Sequence, residues 1–177
     1  MTKSTFLTTI ALAFVMLFSI NVNAQKFAKL DKSPMDAAAF PTDYKNANKL
    51  IKIVYSSIQL KGRELSKLAP NGKVWRTGAN EAANITLYKD MKIAGEPVNA
   101  GEYSLFTIPG EKEWTIILSK DINVWGAYSY NESNNVIKVS APVSSGESLE
   151  AFSIAFSDDG TMHLGWGTTR VAVPFTI

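Results

Sequence analysis

A pair of alternating runs joined by a four-residue turn constrains this chain more than any other feature. Glu102-Tyr103-Ser104-Leu105-Phe106-Thr107-Ile108 leads through Pro109-Gly110-Glu111-Lys112 into Glu113-Trp114-Thr115-Ile116-Ile117-Leu118. Period-two runs on either side of a Pro-Gly turn predict a β-hairpin. Both faces of the first run are largely apolar, which predicts a central strand covered on each side. The same grammar recurs along the chain. Leu50 to Ser57 puts Ile51, Ile53 and Tyr55 on one face and Lys52, Val54 and Ser56 on the other. Ala83 to Lys89, Met91 to Ile93, Val136 to Val143, Leu149 to Phe156, Thr161 to Trp166 and Arg170 to Phe175 read as further strands. Turn signals at Pro70-Asn71-Gly72, Gly95-Glu96, Asn99-Ala100-Gly101 and Asp158-Asp159-Gly160 separate them. Pro142 predicts an edge position for its strand, because proline cannot donate to a ladder. No segment carries a convincing helical period. The expected fold is all-β, an antiparallel β-sandwich of about eight to ten short strands. A closed β-barrel with a ligand mouth is the alternative.

Before the first strand the chain changes character. Lys3 precedes an apolar run at 6–20, and Val22-Asn23-Ala24 follows with a tolerated cleavage pattern. This predicts a signal peptide over 1–24, with Gln25 as the mature N-terminus. The run falls short of the roughly 20 residues that span a bilayer. No cysteine is available for lipid attachment, so the expectation is a periplasmic or secreted protein with no membrane span after cleavage. An N-terminal arm at 25–49 then drapes over the domain or adds an edge strand, and 50–177 forms the sandwich.

Charge and composition exclude several kinds of chemistry. Without Lys3 the balance is 17 basic against 16 acidic side chains, too even for a phosphate-backbone reader, so no nucleic-acid partner is expected. The chain has no cysteine, which removes disulfides, thiol nucleophiles and thiolate metal sites together. His163 is the single histidine, so any Ser-His-Asp triad must use it, and zinc or copper sites lack ligands. No metal and no cofactor are expected.

Lys73 to Glu81 is the densest mixture of apolar and ionisable groups, with Gly78 to bend the backbone. Arg76 and Glu81 lie five positions apart around that bend. One reading is a structural ion pair that fixes a loop over the sheet. The other is a ligand-binding site of Arg63, Trp75, Arg76, Thr77, Asn80 and Glu81, flanked by Trp125 and Tyr128. Trp75, Trp125, Tyr128 and Tyr130 could form a stacking platform for a sugar, or fill the sandwich ends. The function expected is a non-catalytic binding or envelope-interaction domain whose partner is a small molecule, a glycan or an envelope protein. The alternative is a hydrolase with Glu81 or another carboxylate as base and Arg76 stabilising charge. Glu102 and Glu113 are candidates there by chemistry alone.

The runs KVWRTGANEAA at 73–83, AGEYSLFTIPGEKEWTIILSKD at 100–121, WGAYSYNES at 125–133 and GWGTTRVAVPF at 165–175 resemble one bacterial family. It is catalogued as domain of unknown function 2911, mostly small exported proteins, and the likeness spans nearly all of the expected mature chain. The resemblance implies no activity, substrate or cofactor. Two departures stand out. The family usually has arginine where this chain has Met35 and Ser57. A family site that gathers several arginines around an anion would therefore be weakened here, or altered.

Overall fold

A computed structural model describes residues 25–177, so the expected signal peptide at 1–24 lies outside the described residues. The chain divides into two units, Met1–Leu30 and Asp31–Ile177. Within the first, residues 25–30 carry no regular secondary structure. The second is built from nine antiparallel strands. In chain order these are β1 Met35–Phe40, β2 Ile51–Ser56, β3 Ala83–Leu87, β4 Met91–Ile93, β5 Glu96–Val98, β6 Gly101–Ile108, β7 Glu113–Ser119, β8 Asn135–Phe156 and β9 Thr161–Thr176. Among the described residues helix is confined to one turn, α1 Leu65–Leu68, and a 3-10 turn at Glu132–Asn134.

The spatial order is β1-β2-β3-β6-β7-β8-β9-β4-β5, an open sheet with β1 and β5 as its edges. It folds over itself as a sandwich and does not close as a barrel. The fold-over is made by β8. Its first part, to Pro142, pairs with β7, and from Val143 onward it pairs with β9. Residues after β2 are stitched to the far part of β8: Phe152 N–H donates to the Ile58 carbonyl and Leu60 N–H to the Glu150 carbonyl. Pro142 is therefore internal, not on an edge strand. It sits where β8 passes from one partner to the other, a place where a missing N–H disturbs neither ladder. The two runs expected on each side of it form this one strand, interrupted by register shifts between Ser145 and Ser153. Thr161 to Trp166 and Arg170 to Phe175 likewise merge into β9.

Alternation places the core as expected. Ile51, Ile53 and Tyr55 of β2 and Ile85 and Leu87 of β3 point inward and are buried. Between the layers Trp75 stacks on Trp166 at 5.4 Å and 13°. It also meets Phe152 and Trp114 edge-on at 4.9 Å and 6.0 Å. Each such pair adds about 0.5–1.5 kcal/mol beyond the area it buries. Strand β6 is buried on both faces from Tyr103 to Thr107, because Tyr130 covers Phe106 from outside at 5.2 Å.

Candidate functional site

The Lys73–Glu81 segment enters as a strand fragment. Trp75 and Thr107 exchange two backbone hydrogen bonds, at 2.7 and 3.0 Å, which add the fragment beside β6. The chain then bends sharply. Thr77 (φ 53°) and Asn80 (φ 60°) both adopt the left-handed region, between them Gly78. A Cβ on Gly78 would lie 3.0 Å from the Ser56 carbonyl oxygen, so the loop lies against β2 more closely than a side chain comfortably permits. Ala79 N–H donates to that same oxygen at 3.2 Å. On the other side Gly126 N–H donates to Asn80 O at 2.9 Å, and Ala82 N–H to Val124 O at 3.0 Å. The bend is thus fixed by main-chain bonds to two neighbours.

This clamp distributes the predicted site residues instead of gathering them. Trp75 is a core residue, so its ring is not part of an exposed platform. Thr77 is fully buried, its hydroxyl 3.2 Å from that of Thr107, and it offers nothing to a ligand. Arg76 is half-buried and donates to the Asn80 carbonyl at 3.2 Å. It lines a recess of about 240 Å³ together with Tyr128. Glu81 lines a different cleft, and the expected Arg76–Glu81 ion pair does not form. Lys138–Glu132 is the one side-chain ion pair among the described residues. The reason is local: the left-handed Asn80 turns the chain before Glu81, which then pairs as backbone with Trp125. Trp125 and Tyr128 are exposed, whereas Tyr130 is half-buried over Phe106. Arg63 lies in a third hollow, beyond the end of β2. Asn80 reaches toward the N-terminal side, where its side chain, after the Ser33 N–H, helps hold the Asp31 carboxyl below its ordinary range.

The cleft that receives Glu81 has a volume of about 500 Å³. Its floor is the outward face of β2, β3 and β6: Lys52 and Val54, then Asn84 and Thr86, then Glu102. Tyr88 and Met35 flank it, half or more exposed, and Asn123 and Glu81 descend from the loops. Asn84 Nδ2 donates to Glu102 Oε1 at 2.6 Å. Sequence reasoning missed Lys52, Asn84, Thr86, Tyr88 and Asn123 as site residues. The outward positions of β2 and β3 were legible from alternation, but the concavity comes from loops distant in sequence. Of the two positions where family arginines were expected, Met35 faces this cleft, and Ser57 bonds the Phe152 carbonyl through its hydroxyl at 2.8 Å.

The one histidine lies beside a serine and an aspartate, but in the wrong order for catalysis. Ser157 Oγ sits 3.0 Å from His163 Nε2 and donates to Asp159 Oδ1 at 2.6 Å. A triad needs the imidazole between serine and carboxylate; here the hydroxyl occupies the middle. The cluster closes the β8–β9 turn. The Ser157 hydroxyl, then the Thr161 N–H, pulls the Asp159 carboxyl down to about 2. Glu113 also lies apart from the cleft, accepting from Ser140 on β8 at 3.2 Å. Among the described residues no three His, Asp or Glu side chains cluster as metal ligands would.

A family model described as a protein of unknown function (DUF2911) matches residues 33–175. No curated protein and no solved structure matches the chain.

Proposed function

The chain belongs to the DUF2911 family; we propose that it is an exported, non-catalytic binding domain that takes a neutral glycan or similar polyhydroxylated molecule. The observation that carries this reading is the open cleft on β2, β3 and β6. Its volume falls in the range of small-molecule sites, about 300–1,000 Å³. Its side chains supply what hydroxyl groups need: carboxylates at Glu81 and Glu102, amides at Asn84 and Asn123, a hydroxyl at Thr86 and an ammonium at Lys52. Tyr88, 52% exposed, offers an aromatic face for a sugar ring to stack on. The mixture of signs argues against a strongly charged ligand at this place.

A hydrolase is the second reading, favoured by the presence of Glu81 and Glu102 in one cleft. Arg76 no longer belongs to it, since that guanidinium lines another recess. General-acid work needs a carboxyl sheltered from water or pressed against a like charge. Both glutamates are solvent-exposed, so binding is preferred.

Thermal-shift titration of residues 25–177 with neutral oligosaccharides tests the proposal. A saturable rise in Tm is expected with at least one, equivalent to about 2.7 kcal/mol at a hundredfold excess over Kd. Tyr88→Ala and Glu102→Gln should each weaken that binding by about 1–3 kcal/mol. A bound sugar unaffected by either substitution would move the site elsewhere. Release of reducing ends, lost in Glu81→Gln, would replace binding with hydrolysis.

A further inference from the structure

We propose that the hollow of about 470 Å³ beyond the end of β2 is a separate site for a tetrahedral oxyanion, a phosphate or sulfate monoester group. It goes beyond the glycan reading and does not depend on it. The hollow is lined by Lys32, Lys61 and Arg63, with Ser33 and Gln59 as further polar groups. Among the described residues none of these three cations is ion-paired. In a chain with nearly equal numbers of acids and bases, three unpaired cations around one hollow form a localised positive field.

The arginine is held in place for this task. Arg63 Nε donates to the Leu60 carbonyl at 2.9 Å, and Nη2 donates to the Gln59 carbonyl at 2.7 Å. Two of its five N–H groups are thereby fixed to its own turn, and the remaining ones are left for a ligand. A guanidinium whose orientation is already set loses less entropy on binding. Lys61 projects from the same turn, where Lys61 and Gly62 both have positive φ.

Three carboxylates lie beside these segments, Asp31, Glu64 and Glu150, and none is ion-paired with the three cations. Glu64, next to Arg63, accepts from the Ser66 hydroxyl at 3.5 Å. Glu150 accepts the Lys61 backbone N–H at 2.6 Å, without pairing its ammonium. Asp31 accepts the Ser33 N–H at 2.7 Å and is also bonded by the Asn80 side chain. Three separate cations suit the three outer oxygens of such a group, whereas one arginine fork already satisfies the two oxygens of a carboxylate. The hollow also adjoins the proposed glycan cleft. Met35 and Ser56 are opposite each other at the cleft, and Ser33 and Ile58 lie two positions farther along the same two chain segments. Two residues of extended chain span about 7 Å, so the two sites are neighbours on the same face.

The test is a nitrogen–proton NMR titration of residues 25–177 with inorganic phosphate, sulfate and acetate, each at constant ionic strength. Saturable shifts at the Arg63 Nε–H and at the backbone amides of Lys61 and Gly62 are expected with phosphate, sulfate or both. The anion that binds tells the phosphate source from the sulfate source. Arg63→Gln should weaken binding at least tenfold, and Lys61→Gln or Lys32→Gln severalfold, while Lys120→Gln leaves it unchanged. Should Arg63→Gln fail to fold, the two lysine variants carry the test. Shifts that never saturate, acetate binding as tightly as phosphate, or an equal loss in Lys120→Gln would overturn the proposal.

Discussion

Tyr55 joins three strands through a single hydroxyl. It donates to Asp36 Oδ2 on β1 at 3.2 Å and accepts the Ile154 N–H from β8 at 3.0 Å. Its ring meets Phe152 edge-on at 5.5 Å. Burial pushes the phenol up to about 12 from its ordinary 10.0, and the Asp36 charge adds to the rise against the lowering effect of the Ile154 N–H. The folded protein therefore favours the neutral phenol. That contribution is fully present below pH 10, the unfolded value, and is lost as pH rises through about 12. The loss should reach about 2–3 kcal/mol on the linkage scale of 1.36 kcal/mol per pKa unit. Denaturant unfolding between pH 9 and 12 measures it. Tyr55→Phe should lower stability by about 1–3 kcal/mol at neutral pH, because the Ile154 N–H loses its partner, and should flatten the alkaline decline. An unchanged decline in that variant would assign it to other groups. Alternation showed Tyr55 facing inward with Ile51 and Ile53. Its partners Asp36 and Ile154 were not legible, since the latter is almost a hundred positions away.

At the scale of elements, β8 and β9 carry the largest difference from sequence expectation. Four short runs become two long strands because the breaks at Ser144-Ser145-Gly146 and Gly165-Trp166-Gly167 are absorbed as register shifts, not as turns. A turn needs the chain to reverse; here β8 runs from Ser145 to Ser153 while β9 runs only from Thr169 to Gly165, so the surplus residues bulge and bend the strand instead. Arg170 secures this irregular part. It donates to the Gly167 carbonyl at 3.1 Å, to the Thr169 carbonyl at 2.8 Å, and to the Glu147 carbonyl across the ladder. Arg170→Ala should lower stability by about 1–3 kcal/mol, since three carbonyls lose a charged donor. Hydrogen exchange should accelerate most at residues 144–149, ahead of β6 and β7. Uniform acceleration throughout the sheet would show that the bulge is not an independently opening region. The β6–β7 hairpin needed no such correction, because its turn and both registers are encoded within a few residues.

For the whole molecule, the two-layer arrangement depends on aromatic packing between distant strands. Trp75, Trp114, Phe152 and Trp166 come from four different parts of the chain and meet in one core. That use of Trp75 removes it from any surface platform and leaves Trp125 and Tyr128 as the exposed aromatics of the original set. The candidate cleft arises at the same scale, from strands β2, β3 and β6 with a loop roof supplied by Glu81 and Asn123. The proposed export belongs here too, because cleavage of the leader would decide which chain does the folding. N-terminal sequencing of protein recovered from outside the cytoplasm should begin at Gln25, following the Val22-Asn23-Ala24 pattern. Recovery of a chain beginning at Met1 would instead indicate that the apolar run is retained.

The sequence by itself determined the strand class, the inward faces, the central hairpin and the family. All of these rest on periodicity or on contiguous motifs, where neighbours in the chain are neighbours in space. Only the tertiary structure decided where the charged groups of Lys73–Glu81 point. A single left-handed residue at Asn80, held by main-chain bonds to the Val124–Gly126 segment, sends Arg76 and Glu81 into separate cavities. Direction at a bend is set by what the loop packs against, and those partners lie far away in sequence.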